Sequence, residues 1–344
     1  PLELLQYPLN YQMEILKQLI KRRFSGNGIP DLSIDGMISR KTGKKIYQSL
    51  FANLMRKKTG WEGRDIHYDW YLRIERDYKW NILGPDIVHC GVVKGIFRSV
   101  TGRFPYHYPE GGFGRIPEKL LEDYENAGGE THYNVGGIRV LVDQGYISGI
   151  VIDSEQEIQV DNLVWTGSLN SLLEELKLPL SPLPLKDLYT VYLTFDKPSG
   201  WSSDPYIYVY HPDNDVLFTR SYYPSNIYPD RDSDQTGICL EIHKVGTVEE
   251  MSTDEVLEQS INDAVKIGLL PGRPRKSLIK RHTESVPLYP MDYEDKIKKT
   301  YLSLSRFNNL YSIGKPGSLF YCLARGSVKQ GIQVAQNILS SKEE

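Results

Sequence analysis

Apolar residues recur at three- and four-residue steps from the start of the chain. Leu9, Met13, Leu16 and Ile20 predict an amphipathic helix over residues 10–22, ended by Gly26, Gly28 and Pro30. Ile34, Met37 and Ile38, then Ile46, Leu50, Phe51 and Leu54, predict two further helices over 33–58, with Gly43 between them. Residues 61–100 are aromatic and ambiguous. From Tyr106 the pattern changes. Gly111-Gly112-Phe113-Gly114 opens a helix with Pro117 in its first turn. Leu120, Leu121 and Tyr124 give that helix one apolar face, and Gly128-Gly129 closes it. Alternation then predicts strands at 131–135, 138–143, 146–153 and 156–160. A strand at 162–166 leads through Gly167 to a helix at 168–176, and Pro179, Pro182 and Pro184 form a linker. Strands follow at 188–195, 206–210, 216–220 and 237–243. Ser252 and Glu255 form a capping box that opens a helix over 253–267. A strand over 277–283 and a helix over 293–303 come next. The chain ends with strand 309–313, the turn Gly314-Lys315-Pro316-Gly317, and a helix from about Ser327 to Leu339. This order predicts an α/β to α+β protein without internal repeats.

Composition narrows the function. The chain has 344 residues, enough for two cores, and a net charge of -3. That balance offers no concentrated basic face for nucleic acid. Basic clusters at Lys21–Arg23, Arg56–Lys58 and Arg273–Arg281 read as solvated helix ends and loops, or as contacts to an anionic ligand or membrane surface. No apolar run approaches the roughly 18 residues of a membrane span. Cys90, Cys239 and Cys322 lie far apart, which suits a reducing, cytoplasmic setting and gives no zinc signature. The seven histidines have no close pairing, so no metal site is expected. The 24 tyrosines suit either half-buried sheet filling or a surface for ring-bearing ligands. The chain enters at Pro1 on an apolar run, which reads as a piece of something longer.

Two glycine clusters are the chemical signals. Gly111–Gly114 precedes a helix, and Gly314–Gly317 lies between a strand and a helix; both arrangements aim backbone N–H groups at an anion or serve as plain turns. His107, between Tyr106 and Tyr108, lines a pocket or packs. GxGxxG, HExxH, GxSxG and GxxxxGK[ST] motifs are absent. No catalytic residue can be named.

The stretch Gly111-Gly-Phe-Gly-Arg-Ile-Pro-Glu-Lys-Leu120, Ala127-Gly-Gly-Glu130 and the strands to Trp165-Thr166 resemble the middle of the flavin-dependent amine-oxidase superfamily. Leu5–Asn10, Gly43–Phe51, Pro287–Tyr293, Arg306–Gly314, Gly317 and Tyr321 resemble its UDP-galactopyranose-mutase-like and protoporphyrinogen-oxidase-like branch. The resemblance implies a bilobal FAD-dependent oxidoreductase-like fold. An incomplete Rossmann-type FAD lobe would come from residues 106–178 and 305–344. A mixed helix and antiparallel-sheet substrate lobe would come from residues 1–105 and 179–304. It implies that Gly111, Gly112 and Gly114 face the flavin and that the backbone of Val135 to Gly137 lies near the adenosine. Gly314, Lys315 and Gly317 would approach the pyrophosphate, and Tyr321 the flavin edge. The family's GxGxxG strand and acidic ribose-binding residue would lie ahead of Pro1, so FAD binding by this chain is expected to be weak or absent. Gly137 stands where relatives carry Val, and Phe320-Tyr-Cys-Leu-Ala-Arg325 where they carry Arg-Tyr-Asn-Asn-Met-Asp. Three readings stay open: an oxidoreductase acting on a small molecule, a sugar-nucleotide mutase, and a non-catalytic binding fragment. In the mutase reading Arg220, Arg273, Arg275 or Arg281 would meet the diphosphate. The oligomeric state is unassigned.

Overall fold

In a computed structural model of the chain, the described residues are 9, 13, 14, 17, 31–71, 109–153, 155–197, 207–227, 234–320 and 322–341. The expectations for 10–22 and 61–100 fall largely outside these residues, and those for His107 and Tyr321 entirely so. The helices used below are α1 (Ile34–Thr42), α2 (Ala52–Thr59), α3 (Arg115–Asn126), α4 (Leu169–Glu175), α5 (Thr253–Lys266), α6 (Tyr293–Leu304), α7 (Gly314–Ser318) and α8 (Ala324–Ser340). The strands are β1 (Ile138–Asp143), β2 (Tyr146–Ile152), β3 (Gln156–Gln159), β4 (Leu163–Trp165), β5 (Leu185–Asp196), β6 (Tyr208–Tyr210), β7 (Arg220–Tyr222), β8 (Gln235–His243), β9 (Lys276–Pro287) and β10 (Leu310–Ser312). They fall into two compact units. The first comprises residues 1–103 and 183–293, the second residues 104–182 and 294–344.

The first unit is built on an antiparallel sheet in the order β6-β7-β8-β5-β9. Period-two alternation puts Tyr189, Val191, Leu193 and Phe195 of β5 on one face with Ile238, Leu240 and Ile242 of β8. Val256, Ile261 and Ala264 of α5 cover that face, and all of these side chains are buried. Each large one contributes about 1.5–3 kcal/mol by leaving water. α5 starts where the capping box places it. The Ser252 Oγ accepts from the Glu255 N–H at 3.2 Å, and the Glu255 carboxylate accepts from the Ser252 N–H at 2.8 Å.

Residues 66–70 are locked onto 287–293 within the same unit. The His67 N–H donates to the Tyr289 carbonyl at 2.8 Å, and the Trp70 indole donates to the Pro287 carbonyl at 2.8 Å. The Tyr293 hydroxyl donates to Asp69 Oδ2 at 2.6 Å, and the Tyr289 and Tyr293 rings stack 4.6 Å apart. The Pro287–Tyr293 segment is therefore a clasp in which Leu288, Tyr289 and Tyr293 are fully buried. Tyr293→Phe removes a hydrogen bond to a buried carboxylate and is expected to cost about 2 kcal/mol in urea unfolding. An unchanged midpoint would show that the bond contributes nothing net.

The second unit holds an antiparallel meander, β1-β2-β3, and a parallel pair, β10 with β4. Buried Asn309 ties them together. It accepts from the Ile147 N–H at 3.0 Å and donates to the carbonyls of Ile147 at 2.8 Å and Asp161 at 3.0 Å.

Three expectations need correction. Residues 131–135 form no strand. The Gly136 and Gly137 N–H groups just after them go to the Asp153 side chain rather than to a ladder. The strand expected at 216–220 begins only at Arg220, because Lys57 gathers the carbonyls of His211, Asp213 and Phe218 and holds 211–218 as a loop. The apolar face of α3 is not covered: none of its residues is buried, and Leu120 and Tyr124 remain 56% and 53% exposed. Among the described residues no helix is long and apolar enough to cross a membrane.

Candidate functional site

In the second unit, β4 and β10 run parallel with Leu163 opposite Leu310 and Trp165 opposite Ser312. Both strands run into glycine turns, and ligands of parallel sheets sit beyond such carboxyl ends. Gly314 takes a φ of +76°, a conformation that favours glycine, and its N–H donates to Gln330 Oε1 at 2.6 Å. A Cβ on Gly317 would stand 2.9 Å from the Trp165 carbonyl and 3.3 Å from the Gly167 carbonyl. The missing side chain there is required by the protein's own backbone. Ser312 Oγ completes the turn by donating to the Gly317 carbonyl at 2.7 Å. Lys315 lies in the first turn of α7, which packs on α8.

The other expected cofactor residues are placed differently. Gly111 and Gly112 take φ of 85° and 103° in the turn before α3, and Gly112 faces open space. The groups nearest the bare faces of Gly111 and Gly114 are Arg115 and Glu118 of the same helix. Next to Val135, the Gly136 and Gly137 amides donate to Asp153 Oδ1 at 2.6 and 3.0 Å, so they are already spent. Arg325, in the first turn of α8, was not singled out by sequence. Its guanidinium carries a buried nitrogen without a hydrogen-bond partner. The carboxyl end of the parallel pair thus carries the two glycine turns, and Arg325 lies in the first turn of the helix that follows α7.

The first unit presents a second sheet face, opposite its core. Tyr210, Arg220, Glu241, Thr190 and Lys280 stand in one cross-strand row; Tyr208, Tyr222, Cys239, Tyr192 and Leu278 stand in the next. Tyr208, Tyr210, Tyr192 and Leu278 are exposed. Arg220 is ion-paired to Glu241, and its Cζ lies 5.6 Å from the Tyr208 ring centre and 6.0 Å from that of Tyr210. Lys58 reaches the same place from α2, its Nζ 4.9 Å from the Tyr210 ring centre. Burial pushes the Lys58 ammonium down to about 8; Glu241 opposes the shift and Arg220 adds to it. Burial likewise drives the Cys239 thiol up to about 12, which removes it as a nucleophile.

The triplet Arg56-Lys57-Lys58 thus splits three ways, as 100° steps on a helix demand. Arg56 pairs with Glu62 at 2.6 Å, Lys57 clamps the 211–218 loop, and Lys58 faces the tyrosines. A cavity of about 820 Å³ in this unit is lined by Trp61, Asp65, Asn214, His243 and Thr247. Its two cations, Arg56 and Lys57, are the ones already engaged. Of the other arginines considered for a diphosphate, Arg273 pairs with Glu258, Arg275 with Asp196 and Arg281 with Asp187. None of them lies over the tyrosine pair. Among the described residues no three His, Cys, Asp or Glu side chains gather as a metal site.

No family model matches the chain, and no curated protein matches it. Solved structures do. Reduced UDP-galactopyranose mutase matches with a TM-score of 0.71 at 15% identity, over 97% of this chain and 73% of its own. An Exiguobacterium sp. 255-15 protein described as a protoporphyrinogen oxidase matches with a TM-score of 0.65 at 16% identity, over 96% of this chain and 72% of its own. An oxidoreductase from Methanosarcina mazei matches with a TM-score of 0.59 at 13% identity, over 97% of this chain and 74% of its own. The chain has the mixed helix and sheet fold of these solved structures.

Proposed function

We propose that this chain is a flavin-dependent oxidoreductase of the amine-oxidase-like kind. The observation that carries the reading is the fold likeness, which runs through almost the whole chain. The second unit would supply an incomplete Rossmann-type FAD lobe, with the parallel β4–β10 pair as its sheet. Gly314, Lys315 and Gly317 would shape the turn beside the pyrophosphate, with Arg325 as a cation nearby. Gly111, Gly112 and Gly114, the Val135–Gly137 backbone and Tyr321 complete the proposed cofactor set. Gly314 and Gly137, whose amides are engaged, would give shape rather than hydrogen bonds. Bound FAD would carry the electrons; the chain's residues bind and orient the substrate. The first unit, with its tyrosine face, would receive that substrate.

The test is a titration of FAD fluorescence against the protein. Saturable quenching of micromolar or weaker affinity is expected, together with full reduction of the bound flavin by dithionite. No saturable binding would overturn the reading and leave binding without flavin as the role.

A sugar-nucleotide mutase is the second reading. It is favoured by Arg220, the one arginine of the four that lies over a tyrosine pair. One of the solved structures it matches is itself a mutase of UDP-galactopyranose. Chromatography of UDP-galactopyranose incubated with protein and reduced FAD separates the two: a ring isomer formed without net redox supports the mutase.

A further inference from the structure

Two cations on the aromatic sheet face carry more hydrogen-bonding capacity than the protein uses. Lys58 lies against the Tyr210 ring, and among the described residues its ammonium has no hydrogen-bond acceptor. A cation–π contact leaves all three ammonium donors unspent. Arg220 donates to Glu241 and to the Tyr210 hydroxyl, while its buried Nε has no partner among the described residues. Its side chain remains 33% exposed. Glu241 neutralises one of the two cations, so a positive charge is left over beside Tyr208 and Tyr210. Those rings stand edge to face, 5.6 Å apart, and are both exposed. Unspent donors, surplus charge and an open aromatic platform meet at one place.

We propose that Lys58 and Arg220 form an oxyanion-recognition site, whose ligand carries a phosphate ester or carboxylate next to an apolar or ring portion that lies on Tyr208 and Tyr210. The proposal rests on the reading of this sheet face as the substrate surface. The oxyanion takes the donors of Lys58 and restores charge balance; the ring portion covers the tyrosines. Of the other cations, Lys280 stands at the far end of the same row, three strands from Arg220. Lys57 is held by three carbonyls, and Arg273, Arg275 and Arg281 each have a carboxylate partner.

The test is isothermal titration of the flavin-free protein at pH 7 with phenyl phosphate, inorganic pyrophosphate and decanoate. The first and third distinguish a phosphate ester from a carboxylate; the second removes the ring. Saturable one-to-one binding of phenyl phosphate or decanoate is expected, tighter than pyrophosphate and weakened at least fivefold between 50 mM and 500 mM salt. Lys58→Met and Lys58→Gln are expected to lose at least tenfold in affinity, and Lys58→Arg to retain most of it. Circular dichroism checks that each variant is folded, and Arg220→Lys gives a second variant with the charge kept. No saturable binding of any probe up to 10 mM overturns the site, and so does unchanged affinity in Lys58→Met. FAD, itself a diphosphate ester with rings, is titrated into both the unsubstituted protein and Lys58→Met, and an FAD affinity unchanged by the substitution places the cofactor elsewhere. FAD binding of that kind without oxyanion binding defeats this site alone, and oxyanion binding without FAD binding defeats the flavin reading alone.

Discussion

Gly317→Val is expected to destabilise the protein by about 3 kcal/mol, and to weaken flavin binding only as far as the turn of the proposed cofactor set is displaced. A Cβ at this position would stand 2.9 Å from the Trp165 carbonyl, 3.2 Å from Ser312 Oγ and 3.3 Å from the Gly167 carbonyl. Two of these groups are backbone at the end of a paired strand, so they cannot rotate aside as a side chain does. The turn would have to move away from β4, breaking the bond from the Ile313 N–H to the Trp165 carbonyl, 2.9 Å long. Overpacking alone costs about 1–3 kcal/mol, and the lost hydrogen bond adds about 1 kcal/mol. The φ of Gly317 lies outside the left-handed region, so backbone strain contributes nothing. Urea melts with and without FAD measure both quantities. A Val variant of normal stability that has lost FAD would reverse the explanation and make the cofactor the reason for the glycine.

Lys58→Met should raise stability at pH 7, on the order of 2 kcal/mol, with an advantage that fades as the pH rises. Burial lowers the Lys58 ammonium from 10.5 to about 8. Glu241, Arg220 and the Tyr210 ring are the groups that face it. Below about 8 both folded and unfolded chains hold the proton, and the folded chain bears the full cost of the desolvated charge. Between about 8 and 10.5 the unfolded chain still holds a proton that the folded chain has released. Stability of the unsubstituted protein therefore climbs across that window, and the penalty is gone above it. The methionine variant lacks this component of the climb. Parallel urea melts at pH 7, 9 and 10.5 isolate it as a shrinking difference. A constant difference would mean that Lys58 titrates normally and that its charge is well solvated.

Much of the local structure was legible from residues close together in the chain. The Ser252–Glu255 box marked the start of α5, Gly43 separated the first two described helices, and the alternation at 138–143 and 146–153 became β1 and β2. The strand–turn–helix order at the tail also stands, with β10 followed by the glycine turn and α8. What failed locally failed for reasons far away. Residues 131–135 form no strand and the Gly136 and Gly137 amides after them go to a carboxylate on Asp153, and 216–219 lost their strand to a lysine on α2. The glycine clusters were recognisable as turns, yet their surroundings were not. Gly317 is bare chiefly because of the end of β4, which lies about 150 residues away in sequence, with the Ser312 hydroxyl of its own segment adding to the crowding.

The sequence by itself determined most of the elements, because capping, periodicity and turn chemistry are settled by bonds reaching only a few residues; the fold it implied through a family resemblance. The tertiary structure alone decided which charges are spent. Arg56, Lys57 and Lys58 are equivalent as a basic triplet. On a helix they diverge by about 100° each, and only the packed sheet shows that one meets a carboxylate, one meets three carbonyls and one meets a tyrosine ring. Arg220 was one of four interchangeable arginines until the order β6-β7-β8 set it between Tyr210 and Glu241. Hydrogen bonds and charges between distant strands depend on register, and register is a property of the assembled sheet rather than of any one segment.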